Sequence, residues 1–164
     1  MRLTSPASQV AITDYPAPTI LNTTSSNVSR NIPAPTRPHV SIHGHQWGVF
    51  TTPFAVQNAS RYTRILAADC FWMPWEHDNL ARSMLHFLSP APEARVFVMA
   101  GFHTGRAKLA PFFEQAVPRE GLEVEEIWEM DADGRRRGWE PGRAEEPAGE
   151  RKKWLVVARL RRRQ

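Results

Sequence analysis

The sequence predicts an α/β fold in which parallel strands are joined by helices and an antiparallel hairpin closes the C-terminal end. Two observations carry this prediction. Four short apolar runs, VAIT, HVSIH, RILAA and RVFVMAG, alternate with stretches of helical period up to about residue 116, the pattern of strand-helix-strand crossovers. Beyond them, LEVEEIWEMD (122–131) and KKWLVVARL (152–160) are strand-like runs separated by a Gly, Pro and Arg-rich loop without helical period, which makes them the arms of a long hairpin.

QVAIT (9–13) is a continuous apolar strand of the kind found in parallel sheets, and it delivers Asp14 into a turn stopped by Pro16 and Pro18. The following helix carries Ile20, Leu21, Thr24 and Val28 on one face, although its Ser, Thr and Asn residues lower its propensity. HVSIHGHQWG (39–48) is a second strand opening into a Gly-flanked turn, and 49–61 is a loop or a weak helix. TRILAADCFW (63–72) is the third strand, with Ile65, Leu66, Ala67 and Ala68 expected to be buried and Asp69 at its end. Asp78 is placed as the cap of a helix bearing Leu80, Met84, Phe87 and Leu88. ARVFVMAGF (94–102) is the fourth strand. The helical segment after Thr104 puts Leu109, Phe112, Phe113 and Ala116 on a core face, with Pro111 either starting its regular part or kinking it.

A chain of 164 residues fits one domain with a real core, and 41% hydrophobic content with six Trp and eight Phe excludes a wholly disordered protein. The net charge of +4 is unevenly spread, since residues 133–164 hold eleven Lys and Arg against five Asp and Glu. The terminal cluster RLRRRQ reads as a solvated end, disordered over 161–164, rather than a nucleic-acid face, because no RNA-binding motif or zinc-ligand spacing accompanies it. A lone cysteine, Cys70, forbids an intramolecular disulfide and suits a reducing compartment, the cytoplasm or nucleus. No stretch approaches the ~20 apolar residues that span a bilayer, and the N-terminus lacks the apolar core of a signal peptide.

Six fragments in register, VAITDYPAP, GHQWG, LAADCFWMPWEHDNL, VMAGFHTGR, LEVEEIWEMDADGRRRGWEP and ERKKWLVVARLRRR, resemble the fungal nicotinamide N-methyltransferase-like proteins, in the same superfamily as the non-SET protein lysine methyltransferases. The resemblance runs from about Gln9 onward. It implies a Rossmann-like class I methyltransferase sheet of family strand order 3-2-1-4-5-7-6, with S-adenosyl-L-methionine as methyl donor. Family members carry a first strand, a Gly-rich loop and a helix ahead of the strand matched by VAITDYP. Here thirteen residues precede Asp14 and the first glycine is Gly44. The resemblance therefore implies an incomplete sheet, that of an N-terminally truncated methyltransferase lacking the first strand and the Gly-rich loop.

By the same resemblance Asp14 accepts hydrogen bonds from both ribose hydroxyls of the donor, a task that suits a carboxylate because its oxygens are acceptors only. Tyr15 and Ala68 line the donor site, Trp47 offers an indole face to the adenine, and Gln46 reaches a ring nitrogen. Asp69 opens DCFW, similar to an acid-x-x-aromatic motif at which an acceptor amine is held, and Trp72 supplies an aromatic wall that favours a cationic sulfonium. Many relatives have Tyr or Phe at that last position, so Trp72 departs from the pattern. Each residue also has a plainer reading: Asp14 and Asp69 as turn acids or caps, Trp47 as a core side chain.

His43, His45, His77, His103 and Cys70 do not stand at ligand spacing, so no metal is expected; His103, in FHTGR at a strand end near the expected acceptor side, could position substrate, but reads first as a structural histidine. The expected activity is methyl transfer to nitrogen, of a small pyridine such as nicotinamide or of a protein amine, by an in-line displacement that needs no nucleophilic side chain. The alternative is a non-catalytic methyltransferase remnant that binds a partner through exposed sheet edges or the basic tail.

Overall fold

Strand β1 (Val10–Asp14) ends where Pro16 and Pro18 remove backbone donors, and helix α1 (Pro18–Asn31) begins on Pro18, whose fixed φ suits a first helical residue. They open the first of two compact units in the computed structural model, one ending at Gln57 and the other spanning Asn58–Gln164. Residues 9–143 and 146–164 are described. The stretch read above for a signal peptide lies almost wholly outside them.

In the first unit β1 pairs in parallel with β2 (Val40–Gly44), in a register that sets Asp14 opposite Gly44. Leu21, Thr24 and Val28 form the half-buried face of α1, while Ile20 is exposed. The segment expected to be a loop or a weak helix contains the short α2 (Pro53–Asn58), whose Phe54 stacks on His43 with ring centroids 4.2 Å apart.

In the second unit β3 (Arg64–Ala68) lies parallel to β4 (Arg95–Gly101), across helix α3 (His77–Phe87) in the chain. Strand β4 is antiparallel to β7 (Trp154–Arg162), and β7 to β5 (Leu122–Asp131), which is the long hairpin predicted from the sequence. A short β6 (Arg136–Gly138) then pairs with β5, giving the order β3-β4-β7-β5-β6. The loop between the hairpin arms was expected to hold no strand; Gly134, at φ 81°, lets the chain double back and pair there. Every neighbour relation of the family order that does not involve its first strand is present: β2 with β1, β3 with β4, β4 with β7 and β7 with β5.

The core of this unit is aromatic. Phe71 and Phe112 meet edge to face at 4.6 Å, Phe113 joins them, and the buried His77 ring bonds the Phe71 carbonyl at 3.2 Å. Pro111 ends regular α4 (Arg106–Pro111). It has no N–H and its ring crowds the preceding turn, and the chain widens into a π-helical stretch over Phe112–Ala116 before α5 (Val117–Arg119). A further short helix, α6 (Ala148–Arg151), precedes β7. No helix among the described residues is long and apolar enough to cross a membrane.

Three expectations are corrected. Asp78 does not cap α3: Glu76 is the N-cap residue, and Asp78 sits in the first turn, paired with Arg119 at 2.6 Å. Leu66 and Ala68 are exposed, Leu66 to 72%, and Phe97 and Met99 are partly exposed beside them, while Ala67, Val96, Val98 and Ala100 are buried. The continuous apolar runs promised cover on both faces, yet among the described residues one face is covered. The basic end, finally, is structured to Arg162: Arg161 pairs with Glu123, and Arg162 donates to the Leu85 and Leu88 carbonyls at the end of α3.

On the open face Glu125 is the extra residue of a β-bulge between Val124 and Glu126, and it receives Arg95 at 2.7 Å and Arg159 at 2.6 Å. The Arg95 hydrogen bonds first, then those of Arg159, outweigh partial desolvation and hold its carboxyl at about 2, below the ordinary 4.5. Because the folded value is depressed, this stabilisation is complete above about pH 4.5 and is lost as pH falls toward 2. Glu125→Gln is therefore expected to flatten the acid limb of the stability curve between those values. Urea midpoints for both proteins from pH 6 to pH 2 check this; parallel acid limbs would exclude the link.

Candidate functional site

Two groups of polar and aromatic side chains stand at the C-terminal ends of parallel strands, one in each unit. In the first, the backbone N–H of His45 donates to the Asp14 carbonyl at 2.8 Å and ties the two strand ends together. Gly44 is required there, since a Cβ would lie 2.8 Å from Pro16 Cβ, so no larger residue lets the proline turn fold against the end of β2. The exposed Asp14 carboxylate accepts the Tyr15 N–H on Oδ1 at 2.7 Å, and Oδ2 has no partner among the described residues. Tyr15 is 56% exposed; Gln46 is exposed and Trp47 half-buried on the turn leaving β2. A carboxylate with an open oxygen on one strand end can accept hydrogen bonds from hydroxyls, and an indole and an amide on the next offer a flat apolar surface and polar atoms.

In the second group Asp69 leaves β3 in the left-handed region, φ 54°, a conformation that aspartate tolerates better than most residues. Its N–H still bonds the Met99 carbonyl at 2.8 Å, so the chain turns immediately past the last rung of the ladder. Its Oδ1 accepts the Gly101 N–H at 3.2 Å, and its Oδ2 lies 3.5 Å from His103 Nε2. Both side chains are open to solvent, 60% for Asp69 and 70% for His103. His103 thus differs from His77, which is buried and bonded to a carbonyl. Ala68 is exposed beside Asp69, and Trp72 and Trp75 present 56% and 75% of their surfaces.

Sequence reasoning missed a third group. Glu129, fully buried in β5, receives the Arg106 guanidinium at 2.5 and 2.7 Å and Arg137 at 2.7 Å, while Glu146 bonds both arginines. Arg106 also lies over the Phe102 ring at 4.0 Å and Arg137 over Trp154 at 3.9 Å. Burial works against the Arg106 charge, but the bonds from Glu129 and Glu146 outweigh it and raise its pKa. Burial likewise works against the Glu146 charge, yet Arg137 and Arg106 together push its pKa down. Each charge is matched and bonded, which marks this group as a structural clamp between α4, β5 and β6.

No protein-family model matches the chain, and no curated protein matches it. Solved structures do. The glycopeptide N-methyltransferase MtfA, in complex with S-adenosyl-L-methionine, aligns with a TM-score of 0.65 at 11% identity over 95% of this chain and 73% of its own. A SAM-dependent methyltransferase from Methanosarcina mazei gives 0.61 at 7% identity, covering 96% and 83%. A provisionally named methyltransferase from Thermoplasma acidophilum gives 0.54 at 13% identity over 95% of this chain, which spans only 58% of that structure's length. The chain has the α/β architecture of the Rossmann-like class I methyltransferases, with a C-terminal hairpin among its strands. At such identities the likeness is one of fold.

Proposed function

We propose that this chain is part of an S-adenosyl-L-methionine-dependent N-methyltransferase of the nicotinamide N-methyltransferase-like kind, acting on the nitrogen of a small molecule or of a protein. One observation carries the reading: each of the two parallel strand pairs delivers, at its C-terminal end, an exposed aspartate with a tryptophan nearby, half-buried Trp47 on the neighbouring strand end for Asp14 and exposed Trp72 close by in sequence for Asp69, where open α/β sheets bind their ligands. Asp14, Tyr15, Gln46 and Trp47 take the nucleoside of the donor, and Ala68 is assigned to the donor site by the family resemblance alone. Asp69 and Trp72 stand on the acceptor side, the indole facing positive charge. When bound, the donor supplies a methyl group already activated on a sulfonium, so the side chains need only orient an acceptor nitrogen in line with it.

The donor site is completed, on this reading, by a Gly-rich strand, loop and helix outside the 164 residues. Among the described residues no strand pairs with the second edge of β1 or of β3, and the sheet face bearing Leu66, Phe97 and Met99 is open. The same open edges favour a second reading, a partner-binding module without catalysis.

Paired substitutions separate the two readings. In the protein carrying that segment, Asp14→Ala is expected to weaken donor binding tenfold or more, as lost hydrogen bonds to a carboxylate cost about 1.5–3 kcal/mol. Asp69→Ala is expected to slow transfer to an amine while leaving donor affinity within about twofold. Calorimetry and a methyl-transfer assay measure the two; equal losses of affinity would contradict the assigned roles, and absence of donor binding by the parent protein would leave the partner-binding reading.

A further inference from the structure

We infer that His103 is the base that removes a proton from the methyl acceptor, positioned by Asp69, and that the acceptor is a primary or secondary ammonium rather than a pyridine. The inference rests on the methyltransferase reading above and names its substrate class.

Both members of the pair are fixed by features with no other evident use. Asp69 is turned out of β3 at φ 54° and anchored through Oδ1 by the Gly101 N–H at 3.2 Å, which leaves Oδ2 for His103 Nε2 at 3.5 Å. The imidazole lies directly over Gly101: a Cβ on that residue would come within 2.6 Å of Nε2 and 3.1 Å of two ring carbons. With Asp69 facing Nε2, the tautomer that carries its proton there is favoured, and Nδ1 keeps its lone pair. Nδ1 has no partner among the described residues, and the side chain that carries it is 70% exposed. An aspartate that orients a histidine whose second nitrogen is open is the arrangement of a general base.

A pyridine nitrogen has nothing for such a base to do, because its lone pair is already free at neutral pH. An alkylammonium with the ordinary amine pKa of about 10.4 leaves roughly one molecule in 2,500 neutral at pH 7. In the step assigned here, the ammonium proton passes to Nδ1 of His103. The freed lone pair forms the N–C bond to the donor methyl carbon, the C–S bonding pair returns to sulfur, and the positive charge moves from sulfonium to the methylated nitrogen. The neutral thioether leaves, and the exposed imidazolium returns its proton to water.

The test uses the donor-loop-carrying protein, saturating donor, and two acceptors, Nα-acetyl-lysine and nicotinamide. The wild type is expected to methylate the amine in preference to the pyridine. His103→Gln should lower kcat on the amine by about a hundredfold, leave KM for the amine within about threefold and donor affinity by calorimetry unchanged, and not alter any residual turnover of nicotinamide. Gly101→Ala, which adds no charge and displaces only an exposed ring, should reproduce most of that loss, and Asp69→Asn a smaller part of it. Equal loss on both acceptors, wild-type amine turnover by His103→Gln, or a wild-type preference for nicotinamide would each overturn the inference. Donor binding without turnover of the amine would also overturn it, and would leave the methyltransferase reading standing. Failure of the wild type to bind donor at all would sink that reading and this inference together.

Discussion

Glu129→Ala is expected to lower the stability of the Asn58–Gln164 unit by about 3–5 kcal/mol, the cost of removing one partner from a buried ion pair. Glu129 has no exposed surface and Arg106 only 6%, so the alanine leaves Glu146 as the one carboxylate on the Arg106 guanidinium and strips Arg137 of one of its two carboxylates. Small domains are stable by ~5–15 kcal/mol, so the loss is a fifth or more of the total and large enough to shift the unfolding midpoint clearly. Arg82→Ala serves as the reference: its pairing with Glu120 is solvent-screened at the surface, Arg82 being 47% exposed, and its removal should be barely measurable. Urea denaturation followed by circular dichroism at pH 7 compares the two. If both variants shift the midpoint equally, the Glu129 group is not the clamp described.

The 164-residue chain is expected to bind S-adenosyl-L-methionine at least a hundredfold more weakly than a form carrying a Gly-rich strand, loop and helix ahead of β1, and not detectably at millimolar donor. In the proposed donor site Asp14, Gln46 and Trp47 would address only the nucleoside, while the described glycines that adopt positive φ, Gly48, Gly105, Gly121 and Gly134, each stand alone in a turn and form no phosphate-loop-like cradle of backbone N–H groups. Three missing hydrogen bonds of ~1 kcal/mol each already amount to more than a hundredfold. Calorimetric titration of both forms decides the point, and micromolar binding by the shorter form would mean that the donor site is complete without the added segment.

Local chemistry was enough to place the strands at Val10–Asp14, Val40–Gly44, Arg64–Ala68, Arg95–Gly101 and Leu122–Asp131, because apolar runs punctuated by Pro and Gly report the backbone's own preferences. It was enough, too, to pair the two long C-terminal strands, and to pick out Asp14 and Asp69, since an acid that ends an apolar run is visible in a single stretch of sequence. Pro111 announced a break in its helix for the same reason.

Which side of an element is covered is another matter, because it depends on what packs there. RILAA and RVFVMAG read as buried on both faces, yet Leu66 stands open while Val96 and Val98 are sealed. His103 and Asp69 meet only because parallel pairing of β3 with β4 brings two distant strand ends side by side. In LEVEEIWEMD alternation from Leu122 and Val124 would send Glu129 to the opposite face. The bulge at Glu125 inverts the parity, so Val124, Ile127 and Glu129 stand opposite the buried Leu160, Ala158 and Val156. The sequence by itself determined where strands, breaks and strand-end acids fall; the tertiary structure decided which glutamate is buried and which histidine faces an aspartate, because one extra residue in one strand reverses every side chain beyond it.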